Sequence, residues 1–164
     1  MPPKPSDLEP GDCLLYSPHD LFGYITCLKT WSPTCHCEVF AGLRESLASR
    51  NGIGVNRYSL RMKGLAAVLR PKGTLDWFAG LKWFESVRGQ KYDWLGLFCF
   101  TLAVKQGAAD KMFCSEFAKR LYHACKCDVI HENWDADKTA PGSYLQSIAF
   151  DWVWTKWGAG RQDA

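Results

Sequence analysis

The chain has 164 residues, 47% of them hydrophobic, with eight Trp and nine Phe. That is enough apolar matter for one packed domain over residues 1–164, and it argues against disorder. Twenty basic and seventeen acidic residues leave a formal charge of +3, too little to mark a nucleic-acid binder. No run of eighteen apolar residues occurs, so no membrane span is expected, and Met1-Pro-Pro-Lys-Pro lacks the apolar core of a signal peptide. Eight cysteines without an export signal lead to the expectation of reduced thiols in the cytoplasm.

Residues 1–10 are Pro-rich and polar, a loose lead-in. Gly11-Asp12 signals a turn before a short buried strand, Cys13 to Tyr16. Ser17-Pro18-His19-Asp20 starts a helix over Leu21 to Thr30, with Pro33 beyond its end. His36 to Phe40 alternates with the period of a strand. Gly42 to Glu45 turns it, Ser46 to Arg50 returns as a hairpin partner, and Asn51-Gly52 leads into a strand over Val55 to Leu60. Leu65 to Arg70 closes the strand-rich half before Pro71.

The second half is helical in pattern. Thr74 to Val87 places Leu75, Phe78, Leu81 and Trp83-Phe84 at helical spacing, with Gly89 as a stop. Tyr92-Asp93-Trp94 opens an apolar segment to about Val104, read as a buried helix or helix-loop. A further helix runs from Cys114 to about Cys125. Phe113, Phe117, Leu121 and Tyr122 would form its apolar face, Lys119 and Arg120 would face water, and Asp110 stands where an N-cap is sought. Residues 128–140 are polar and irregular. Pro141-Gly142-Ser143 starts a short helix to about Phe150, and the end bearing Trp152, Trp154 and Trp157 is expected to pack back on the domain. Strands first and helices after predict an α+β fold with an antiparallel sheet packed against helices.

Met112-Phe113-Cys114-Ser115-Glu116-Phe117 is the stretch most suited to chemistry. A thiol in the first helical turn meets unpaired backbone N–H groups and the positive end of the helix dipole, and both favour thiolate. A small buried core cysteine is the competing reading. A nucleophilic cysteine needs a base and a group to orient that base. Of the four histidines, His36 begins a strand, His19 lies in a turn and His131 in a polar loop. His123 is nine positions from Cys114 on the same helix, too far to reach its sulfur. His36 is therefore the candidate base, and a plain half-buried strand histidine is its alternative.

Gly11-Asp12-x-Leu-Leu-Tyr16, Cys35-His36-Cys37-Glu38-Val39-Phe40-x-Gly42, Gly89-x-x-Tyr92-Asp93 and Phe113-Cys114-Ser115-Glu116-Phe117 together resemble the circularly permuted branch of the NlpC-type papain-like hydrolases. This branch includes the YiiX-like proteins and is related to lecithin–retinol acyltransferase. The four markers run from residue 11 to about 122, in the family order of strand histidine first and helix cysteine last. The resemblance implies a permuted papain-like fold and a cysteine hydrolase of the peptidase or amidase type, working through an acyl-enzyme without a cofactor. Cys114 would attack a carbonyl carbon and His36 would carry the proton, while the Cys114 backbone N–H would help bind the oxyanion. Tyr92 matches the family's Tyr-Asp position and would line the site or help hold the oxyanion; a core aromatic is the other reading.

The third catalytic member departs from the family. YiiX-like proteins carry an acid in the strand after the histidine strand, where this chain reads Leu47-Ala48-Ser49-Arg50-Asn51. Strand alternation puts Glu38 on the same face as His36, so Glu38 is the candidate orienting group, with Ser49 and Asn51 as cross-strand alternatives. Glu116 is read as structural, joining sheet to helix through Arg50 or another base. The expected partner is a peptide or acyl-amide substrate. Cell-wall peptides are the family's commonest theme, and a phage enzyme or one with an intracellular substrate would suit the missing export signal. Three alternatives stand beside this reading: a zinc module built on Cys35-x-Cys37 and Cys125-x-Cys127, an inactive binding protein, and a lipid acyltransferase or thioesterase of the same fold. A one-residue gap is shorter than structural zinc pairs use.

Overall fold

Short alternating segments punctuated by tight turns build the first half of the protein into a sheet. The structure, a computed structural model, describes residues 1–93, 111–130 and 139–158. After a single 3₁₀ turn at Pro5–Asp7, the strands are β1 (Cys13–Tyr16), β2 (His36–Gly42), β3 (Glu45–Arg50), β4 (Gly54–Ser59) and β5 (Leu65–Pro71). Helix α1 (Leu21–Thr30) lies between β1 and β2, and α2 (Trp77–Val87) follows β5. Then come β6 (Lys91–Tyr92), β7 (Lys111–Met112), α3 (Cys114–Ala124), α4 (Ser143–Gln146) and β8 (Phe150–Thr155). Six strands form one antiparallel sheet in the order β4-β3-β2-β1-β5-β8, and β6 pairs with β7 in parallel.

The β2–β3 turn shows how sequence sets register. Leu43 and Arg44 both adopt positive φ, the conformation a two-residue hairpin of matching twist requires, and Gly42 before them is also at φ 93°. Asp20 caps α1, its Oδ1 accepting from the Gly23 N–H at 2.7 Å. That helix turns Thr26 inward and leaves Leu21, Tyr24, Ile25 and Leu28 exposed.

One face of the sheet carries the main core. Cys13, Leu15, Cys37, Val39, Leu47 and Leu69 meet Phe84 of α2 and Phe117, Leu121 and Tyr122 of α3. The other face gathers Leu14, Tyr16, Phe40 and Val68 with Leu8 and Leu65. Tyr122 anchors the helix layer to the sheet by donating its hydroxyl to the Gly11 carbonyl at 2.8 Å. Gly80 lets α2 pack tightly on the C-terminal end of α3, since a Cβ there would lie 2.2 Å from the Cys125 sulfur.

Several expectations are corrected. Helix α2 starts at Trp77 rather than Thr74, because Asp76 takes the N-cap and accepts from the Ala79 N–H at 3.1 Å. Phe78, placed on the apolar face by its spacing, is 82% exposed: the helix packs through Gly80 and Phe84, and Phe78 falls on another side. The helix sought up to Phe150 is one turn, α4, and Phe150–Thr155 instead forms edge strand β8 paired with β5. The segment beyond Asp93, Asp110 and His131 lie outside the described residues; Phe113 occupies the N-cap of α3. Among the described residues no helix is long and apolar enough to cross a membrane.

Candidate active site

His36 is the first residue of β2, and alternation places its side chain with Glu38 on the face opposite Cys37. The registered pairs of β2 with β3 run from Val39↔Leu47 to Gly42↔Glu45. Beyond Val39, side chains join the two strands. Arg50 of β3 donates from Nε and Nη2 to the two oxygens of Glu38, each at 2.9 Å, and the Ser46 hydroxyl also donates to Glu38. Glu38 Oε1 lies 3.0 Å from His36 Nε2. The carboxylate is fully buried, and its position is fixed by three partners.

The N-terminus of α3 enters at this end of the sheet. The β6–β7 pair sets Tyr92 beside Met112, and the Ser49 hydroxyl donates to the Met112 carbonyl at 2.6 Å. No side chain caps α3, since Phe113 holds the N-cap position. Cys114, only 4% exposed, is the first residue of α3, at the positive end of the helix dipole. Its sulfur has two neighbours from β2. Cys37 offers its thiol and its backbone N–H, and the imidazole of His36 is within hydrogen-bonding reach. With Nε2 given to Glu38, Nδ1 is the ring nitrogen left for Cys114.

These contacts fix the charge state. The Cys37 hydrogen bond pulls the Cys114 thiol well below the ordinary value; burial opposes it, and the His36 charge adds to the lowering. Burial alone would push the imidazole down, but the Cys114 thiolate and the hydrogen bonds to Cys114 and Glu38 raise it to about 9. Burial likewise works against the Glu38 carboxylate, yet His36, Arg50 and Ser46 hold it at about 2. Cys37 itself is pushed up by burial and by Cys114, so it remains a thiol that can donate. These directions favour a thiolate at Cys114 and an imidazolium at His36, backed by the Glu38 carboxylate.

A cleft of about 290 Å³ opens over His36, lined also by His19, Asp20, Thr26, Cys35, Arg50, Asn51, Arg61 and Tyr92. Burial and the nearby Cys114 charge push the Tyr92 phenol up, which keeps it a hydroxyl donor.

The structure thus brings Cys114, His36 and Glu38 together and sets Tyr92 and Asn51 on the cleft wall. Ser49 is corrected. It is fully buried, and its hydroxyl is committed to Met112 rather than to the imidazole or the cleft. Glu116 pairs with Arg120 at 2.7 Å, while Arg50 serves Glu38. His123 is exposed and bonds Asp128 at 2.8 Å. Cys37 is the site residue that sequence reasoning missed; its odd position between His36 and Glu38 on a strand already put it on the helix-covered face. The two Cys-x-Cys pairs do not converge. Cys37 faces Cys114, whereas Cys125 packs against Gly80 of α2. Among the described residues no three His, Cys, Asp or Glu side chains are grouped to hold a metal ion.

No family model and no curated protein matches this sequence. Among solved structures, the metalloprotein YiiX from Escherichia coli O157:H7 aligns with a TM-score of 0.68. The match covers 92% of this chain and 99% of that one, at 15% sequence identity. The protein has a YiiX-like fold. It is an α+β fold whose six-stranded antiparallel sheet carries α2 and α3 on one face.

Proposed function

We propose that the protein is a cysteine hydrolase of the permuted papain-like, NlpC type, cleaving an amide or related acyl bond. The observation that carries the reading is the continuous chain Cys114–His36–Glu38–Arg50, of which His36 and Arg50 line an open cleft. The Cys114 thiolate adds to the substrate carbonyl carbon, and the negative charge moves to the carbonyl oxygen. The Cys114 backbone N–H at the head of α3 and the Tyr92 hydroxyl are the donors assigned to that oxygen. His36 then gives its proton to the leaving amine, the C–N bond breaks, and a thioester to Cys114 remains. Neutral His36 next takes a proton from water, hydroxide adds to the thioester, and collapse returns the thiolate and the free acid. Glu38 holds the imidazole with Nδ1 toward the sulfur throughout.

YiiX is described as a metalloprotein, and the donors around Cys114 fit a metal poorly. Both Glu38 oxygens are taken by Arg50, Ser46 and His36, so a cation would have to displace a buried guanidinium contact. No step is routed through a metal. The seven cysteines among the described residues are free thiols, which suits a reducing compartment such as the cytoplasm.

The test is competitive alkylation with limiting iodoacetamide from pH 5 to 9, mapped by peptide mass spectrometry, alongside a panel of peptide anilides and acyl thioesters. Cys114 should react first and stay reactive near pH 6, and Cys114→Ala and His36→Ala should each abolish turnover. A Cys114 that stays silent while other cysteines react would overturn the reading. Preference within the panel separates amide from thioester chemistry.

A further inference from the structure

Most charged groups lining the cleft are already spent. Arg50 gives its guanidinium to Glu38. Asp20 caps α1 and lies 3.6 Å from His19. Arg61 is different: among the described residues no carboxylate pairs with it, and its Nε is buried with no hydrogen-bond partner. Its guanidinium lies over the Tyr16 ring, 4.6 Å from the centroid. Tyr16 is fixed in turn, its hydroxyl donating to the Arg61 carbonyl at 2.9 Å and its ring packed 5.8 Å from the His36 ring. A cation is thus held on an aromatic face, one ring away from the base, at the wall of the cleft. Buried donors are paired almost without exception, and guanidinium is the side chain best shaped for a carboxylate.

We propose that Arg61 receives a carboxylate of the substrate, so that the site acts on acyl compounds bearing a free carboxylate close to the scissile carbonyl. The proposal rests on the hydrolase reading for what happens at Cys114, but the anion site itself does not. Tyr16 sets the distance between the anchored carboxylate and His36, which places Arg61 as a specificity residue rather than a catalytic one.

Two measurements on the full chain test it. In the first, the Arg61 Nε–H resonance, assigned with Arg61→Lys, is followed by NMR during titration with N-acetylglycine and with its neutral amide. A shift with the carboxylate alone supports the site; equal response to both, or to neither, overturns it. In the second, Cys114 is alkylated by iodoacetate and by iodoacetamide, two reagents that differ chiefly in charge. Arg61→Gln should lower the iodoacetate-to-iodoacetamide rate ratio by about tenfold, and Arg61→Lys should restore part of it. An unchanged ratio at a reactive Cys114 overturns the anion site and leaves the hydrolase reading intact. If Cys114 reacts with neither reagent, the hydrolase reading fails, and the NMR titration alone decides Arg61.

Discussion

Arg50 clamps both oxygens of Glu38 at 2.9 Å, and one of those oxygens also meets His36 at 3.0 Å. The carboxylate is therefore a hub whose loss is felt on two sides. Glu38→Gln should lower kcat by about 10²- to 10⁴-fold, because a neutral amide does not hold the imidazolium charge and can turn its N–H₂ to the ring, favouring the wrong tautomer. It also strips Arg50, which is only a quarter exposed, of its counter-charge, at a cost of about 2–4 kcal/mol in stability. Steady-state kinetics and urea unfolding read the two effects separately.

The same hub sets the response to pH. Glu38 lies at about 2 when folded against an ordinary 4.5, so its contribution to stability is complete above about 4.5 and is lost as pH falls through 2. His36 lies at about 9 against 6.5, so its contribution is complete below about 6.5 and fades as pH rises through 9. Between about 4.5 and 6.5 neither of these two groups changes its contribution, and the Cys114 thiol, held well below its ordinary 9 when folded, is the site group that still adds to stability as pH rises. Turnover should fall above pH 9, where His36 no longer carries the proton it must deliver. Thermal melts and a pH–rate profile check both, and a profile still rising at pH 10 would contradict the assignment.

Cys37 is the first cause of the lowered Cys114 pKa. Cys37→Ala removes the S–H donor and keeps the backbone N–H. Cys114 alkylation at pH 6 should slow, with its midpoint moved upward. Cys37→Ser, which keeps a donor, should restore part of the reactivity. Reactivity unchanged in Cys37→Ala would show that the Cys37 S–H does not hold the thiolate.

Much of this arrangement is legible in the sequence. Helix α1 spans Leu21–Thr30, between the Ser17-Pro18-His19-Asp20 start signal and Pro33, and α3 begins at Cys114 as its amphipathic pattern requires. The pairing of Glu38 with His36 follows from strand period alone. What the sequence conceals depends on long-range partners. Ser49 stands with Asn51 as a cross-strand alternative to Glu38 in the sequence, and only the fold brings the Met112 carbonyl to its hydroxyl from 63 residues away. The sequence offers Arg50 or another base to Glu116, because nothing local shows that β2 and β3 are joined by side chains beyond Val39. The β8 segment does alternate, with Phe150, Trp152 and Trp154 against Asp151, Val153 and Thr155, but its pairing with β5 spans some eighty residues and leaves no local mark.

Gly80 supplies a prediction for the helix layer. Gly80→Ala would drive a methyl to 2.2 Å from the Cys125 sulfur, so α2 must move off α3. The helix-propensity gain from alanine is smaller than this overpacking, and a net loss of about 1–3 kcal/mol is expected in thermal or urea melts. Gly80→Ala combined with Cys125→Ala should recover most of it.

Strand β2, which carries His36, Cys37 and Glu38, is bordered by β1 on one side and β3 on the other, with β4, β5 and β8 completing the sheet outward. Edge strands and exposed helices open in small fluctuations, while interior strands open only with the whole molecule. The amides of β2 from Val39 onward, where it is paired with both β1 and β3, should accordingly be among the slowest to exchange with deuterium, and His36, Cys37 and Glu38 continue from that ladder paired with β1. Under denaturant, catalysis and the cooperative unit would disappear at one midpoint, leaving no folded but disarmed form between them.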